Sequence, residues 1–95
     1  MEIKRMSSQQ VGGWTPLHAL SPQEEQIFAA ATERLIGAEY QPLEVRSQVV
    51  NGTNYQYVAN QSIPGFSAIR RVLVEIYAPI SGEPIITGIK PLLLD

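Results

Sequence analysis

Ninety-five residues, 44% of them hydrophobic and 17% charged, with a formal charge of −2, suit one domain with one core and exclude a chain disordered throughout. The lysines and arginines are scattered, which leaves no basic footprint for nucleic acid, and no apolar run is long enough to cross a membrane. With no cysteine there is no disulfide framework, thiol nucleophile or thiolate metal ligand; a cytoplasmic location is favoured, and a secreted one stays open if a signal peptide has been removed.

Residues 1–13 are polar, end in Gly12-Gly13 and carry no periodicity, which predicts a flexible N-terminal segment of a single domain spanning 1–95. Trp14 follows directly, either tucked beneath the coming helix or part of a contact surface. A helix is expected from Ser21. That residue can cap, Pro22 suits the first helical position, and Glu24 completes a capping box. Ile27, Phe28, Ala31 and Leu35 fall on one face at a period of 3.6, and Gly37 suits the residue after the end, giving an amphipathic helix of about four turns.

Everything after Leu43 reads as strand. Residues 43–50 alternate Leu43, Val45, Ser47, Val49 against Glu44, Arg46, Gln48, Val50, and residues 53–60 alternate Thr53, Tyr55, Tyr57, Ala59 against Asn54, Gln56, Val58. Between them Asn51-Gly52 predicts a two-residue type I′ hairpin. The alternation predicts that Val49 faces the helix and that Val50 is the exposed member of the pair. A loop around Pro64-Gly65 leads to a strand over 68–78, a reversal over 79–84, and a last strand over 85–95. Short connections make the neighbours antiparallel. The expected architecture is α+β, one N-terminal α-helix packed across a four-stranded antiparallel β-sheet.

Chemistry is sparse. His18 is the lone histidine, with no second histidine or cysteine to share a metal, and reads as a residue of the helix approach with its ring partly in solvent. Glu24 and Glu25 suit a helix N-terminus, and there is no phosphate-cradling loop, paired-carboxylate motif or nucleophile elbow. No catalytic residue, metal or cofactor is expected. Asn51-Gly52-Thr53 and Asn60-Gln61-Ser62 both fit the N-glycosylation pattern, and a glycan on the first would cover the hairpin tip.

Gln48-Val49-Val50-Asn51-Gly52, followed by Thr53-Asn54-Tyr55, resembles the Gln-x-Val-x-Gly loop of the cystatins, inhibitors of papain-like cysteine proteases. Gly12-Gly13 some eight residues before the helix, the helix before the motif strand, and Thr87-Gly88-Ile89 are similar to the family's stefin branch, so the likeness covers most of the chain. It implies a wedge of three pieces that enters a protease cleft of papain or cathepsin type: Gly12, Gly13 and Trp14; Gln48, Val49, Val50, Asn51 and Gly52; and Pro79 and Ile80 in a second hairpin running to Pro84. Where most secreted cystatins carry Pro-Trp in that second hairpin this chain has Pro79-Ile80, and it stops soon after the last strand, where stefins make further contacts. Trp14 is the residue that could compensate from the N-terminal piece. Two alternatives from other classes stand beside the inhibitor: a cystatin-fold binding module that does not inhibit proteases, and a self-associating protein. The expected state is a monomer, with a dimer formed by exchange of elements about the Val49–Gly52 tip kept open.

Overall fold

A computed structural model of the protein describes residues 12–92. One helix, α1 (Pro22–Thr32), precedes four strands, β1 (Glu39–Val50), β2 (Gly52–Ser62), β3 (Ile69–Ala78) and β4 (Ile85–Pro91), which form one antiparallel sheet in chain order. This is the α+β, cystatin-like arrangement expected from the sequence.

The helix begins where the capping box places it. The Glu24 N–H donates to Ser21 Oγ at 3.2 Å and the Ser21 N–H donates to Glu24 Oε1 at 2.9 Å, so two donors that a helix start leaves unpaired are satisfied. Its end corrects the sequence expectation: α1 stops at Thr32, well short of Gly37. The Thr32 hydroxyl donates to the Phe28 carbonyl at 2.8 Å and the Leu35 N–H turns to the Thr32 carbonyl at 3.0 Å, so local bonds replace a fourth turn. Leu35 is exposed and Ile36 almost wholly so, which means the apolar period runs on past the point where it has a core to face.

Register sorts the strands into two faces. Toward α1 lie the rows Val45–Tyr57–Val74–Ile89 and Ser47–Tyr55–Ile76–Ile86, with Ala59 beside Val72. Phe28 descends onto them, its ring 4.8 Å from that of Tyr57, and Phe28, Val45, Tyr57, Ala59, Val72, Val74 and Ile76 make the buried core. The Tyr57 hydroxyl reaches the Glu24 carbonyl at 2.8 Å, giving the one polar tip in this core a partner. The opposite face carries a polar row, Arg46–Gln56–Glu75–Gly88, in which Arg46 Nε donates to Gln56 Oε1 (2.7 Å), Gln56 Nε2 donates to Glu75 Oε2 (2.8 Å) and Lys90 Nζ lies 3.4 Å from Glu75 Oε1.

β1 starts at Glu39, earlier than its alternation suggested, because a register shift between Pro42 and Glu44 breaks the period at Leu43. Residues 12–18 add a partial strand on its outer side, with bridges Trp14–Gln48 and His18–Val45. β4 is described to Pro91, and the end of the expected last strand, residues 93–95, lies outside the described residues, as do residues 1–11 of the expected N-terminal segment.

Candidate functional site

The β1–β2 and β3–β4 connections meet at one end of the sheet, and the chain at Gly12 joins them there. Val49 faces Thr53, and Thr53 faces Ala78, the last residue of β3, so Pro79 and Ile80 follow beside the first tip. Gly12 donates its N–H to the Val49 carbonyl at 3.1 Å. All three sequence-predicted pieces therefore lie side by side, and a shallow groove between the tips is lined by Val49, Val50, Gly52, Pro79 and Ile80, with Ile27 of α1 at its margin.

The turn differs from the two-residue form expected from Asn51-Gly52. A two-residue hairpin would pair Val50 with Thr53, whereas here Val49 pairs with Thr53 and Val50 with Gly52, leaving Asn51 at the apex. Gly52 has φ +97°, a left-handed value that suits glycine. It also has no room for a side chain: a Cβ there would lie 2.6 Å from the Ala78 carbonyl oxygen and 2.8 Å from the Tyr77 hydroxyl. The Tyr77 hydroxyl itself donates to the Asn51 carbonyl, so the apex is tied to the neighbouring strand.

This register reverses the expected roles of the two valines. Val49 is 42% exposed and Val50 is half-buried. Val49 does share the helix face with Val45, but α1 covers the row of Val45 and Tyr57 and stops short of the row of Val49 and Thr53. Alternation gave the face correctly; exposure depends on how far the helix reaches. Ile80 is 81% exposed, the most open of the large apolar residues at this end.

Trp14 is not beneath the helix, which corrects one of the two sequence readings. Bridged to Gln48, it lies on the opposite sheet face, with the Arg46 guanidinium carbon 4.8 Å from its ring centroid. The Gln48 side chain is tied to its neighbours: its Nε2 donates to the Gly12 carbonyl at 3.0 Å and its Oε1 accepts from Asn54 Nδ2 at 2.9 Å. Gly13 is exposed between Gly12 and Trp14. Sequence reading missed Asn54, Tyr77, Thr15 and Arg46 as supports of this end. Of these, Asn54 becomes visible once a hairpin register is assumed, because it then stands opposite Gln48.

A coupled pair of titratable groups sits where the N-terminal segment meets the helix. His18 Nε2 lies 3.1 Å from Glu24 Oε2, and Nδ1 lies 2.9 Å from the Pro16 carbonyl. The Pro16 carbonyl, then the hydrogen bond to Glu24, raise the histidine pKa above its ordinary value. Burial works to raise the Glu24 pKa, but the Ser21 and His18 hydrogen bonds outweigh it and hold the carboxyl below its usual range. Burial, with the neighbouring Tyr55 and Glu24, pushes the Tyr57 hydroxyl far up. None of these groups stands at the tip end. Among the described residues no three His, Asp or Glu side chains gather as a metal site, and no helix is long and apolar enough to cross a membrane.

Comparison with protein-family models and with curated proteins gave no match.

Proposed function

We propose that the protein is a reversible, noncovalent, competitive inhibitor of papain-like cysteine proteases, blocking the active-site cleft with the sheet end built from Gly12, the Val49–Gly52 tip and the Pro79–Ile80 hairpin. The observation that carries this reading is the convergence of those three pieces at one edge, with Val49 presenting an exposed apolar side chain beside a tip tied to β3 and Ile80 presenting one from the adjacent hairpin. A rigid tip loses little conformational freedom on docking, so more of its contact energy survives as affinity. Val49 and Ile80 supply that energy as water leaves them, at roughly 25 cal/mol per Å² of apolar surface. The Gln48 to Gly52 motif and its likeness to the cystatin loop supply the target class.

A second reading keeps the scaffold and drops the target: a binding module without protease inhibition. The replacement of the family's Pro-Trp by Pro79-Ile80 favours it, since the second hairpin then offers one aliphatic side chain in place of an indole. Titration of papain and a cathepsin against a small peptide substrate separates the two. Competitive inhibition that dilution reverses supports the inhibitor, and no inhibition at tens of micromolar protein removes it.

A further inference from the structure

We infer that Trp14 and Gln48 serve the tip end as positioning residues, fixing Gly12 beside Val49, and do not themselves contact the partner. This rests on the inhibitor reading for its functional half. Its structural half stands on geometry alone.

Four side chains from two adjacent strands, Arg46 and Gln48 of β1 and Asn54 and Gln56 of β2, hold residues 12–15 against the sheet edge. The Trp14 ring lies under the Arg46 guanidinium, and Arg46 is in turn fixed by its Nε bond to Gln56, so the cation is held over the ring from the far side. Gln48 donates to the Gly12 carbonyl while Asn54 donates to Gln48, which orients the amide with its nitrogen toward Gly12. Two main-chain bonds, Gly12 N–H to Val49 (3.1 Å) and Thr15 N–H to Ser47 (2.9 Å), complete the attachment, with the Ser47 N–H returning to Thr15 Oγ1 at 3.0 Å. Two residues of the apparent contact motif are thereby committed to holding this segment, Trp14 while still 36% exposed. The indole lies on the sheet face away from α1, whereas the groove between the tips opens on the helix side. Gly12 is consequently held at a fixed point beside Val49, and the ordering of residues 12–15 is complete before any partner arrives.

The test uses the full-length protein and the variants Trp14→Ala, Arg46→Ala and Gln48→Ala, with Trp14→Phe as the conservative change. Amide hydrogen exchange is read at Gly12 and Thr15 against core amides such as Val74, and inhibition of papain is read on the same samples. The expected result is exchange about fivefold faster at Gly12 and Thr15 in each alanine variant, with the core unchanged, and an inhibition constant weakened by a similar factor. Trp14→Phe, which keeps a ring face for Arg46, falls between. Unchanged exchange at Gly12 and Thr15 overturns the positioning role. Weaker inhibition in Trp14→Ala alone, with Arg46→Ala inert in both readouts, makes Trp14 a contact residue and overturns it also. Faster exchange with undiminished inhibition overturns the functional half. A wild-type protein that inhibits no papain-like protease removes that half together with the inhibitor reading, while the exchange data still decide whether the clip exists.

Discussion

Val49 and Ile80 are the residues on which the account leans at the smallest scale. Both are exposed apolar side chains at the same sheet end, and neither belongs to the buried core. Their removal should leave the fold alone and weaken binding: Val49→Ala and Ile80→Ala are each expected to cost about 1 kcal/mol of affinity, roughly fivefold. Melting temperature should fall by no more than a degree or two, which thermal denaturation beside an inhibition assay checks. Val50→Ala discriminates the present picture from the one the sequence suggested. Half-buried, Val50 should lose less affinity than Val49, and the reverse order would restore the expected split. That split failed for a physical reason. Alternation in a strand fixes which face a side chain takes, and it did so correctly for Val49, but exposure on that face depends on which rows α1 covers, and the course of the helix across the sheet is a tertiary arrangement that strand periodicity does not encode.

The element that connects tip and helix is the segment 12–18, and its pH response is readable from one pair. His18 has a raised pKa, so its stabilising contribution is complete below the ordinary histidine value and is lost as pH rises through the raised one. Glu24 has a lowered pKa, so its contribution is present above the ordinary carboxylate range and is lost as pH falls through the lowered value. Both contributions are therefore complete between about pH 4.3 and 6.5. Arg46, on the neighbouring strand, points to the other face and does not enter. Glu24→Gln keeps an oxygen for the Ser21 N–H while removing the charge. It should bring the His18 titration midpoint back toward its ordinary value without restoring it fully, because the Pro16 carbonyl remains. An NMR titration of the His18 ring checks this, and an unmoved midpoint contradicts the pairing. The capping box, the four strands and their order were all legible from spacing and turn residues. The segment's attachment to β1 was not, because it depends on long-range bonds such as Gln48 to Gly12 that leave no local period.

At the scale of the whole molecule, one aromatic side chain joins the two layers. Phe28 is the only fully buried residue of α1, its ring packed at a tilt against that of Tyr57. Phe28→Ala should cost about 3–5 kcal/mol, against a total stability of about 5–15 kcal/mol for a domain of this size. Denaturant titration should show a large drop in midpoint, and a loss below 1 kcal/mol would mean that the helix is held by something other than its core face. The same layered core is what lets the sheet end act as a rigid body. The strands there run past the helix, and the tip is fixed by Tyr77 and by the absence of a side chain at Gly52. The central claim, that this end enters a papain-like cleft, meets its most direct test at Gly52. Papain is titrated with the wild-type protein and with Gly52→Trp, after circular dichroism has shown that the variant keeps its fold. The account predicts reversible competitive inhibition by the wild type and an inhibition constant at least about tenfold weaker for the variant, a loss of about 1.4 kcal/mol or more. Equal inhibition by both, or by neither, would contradict it.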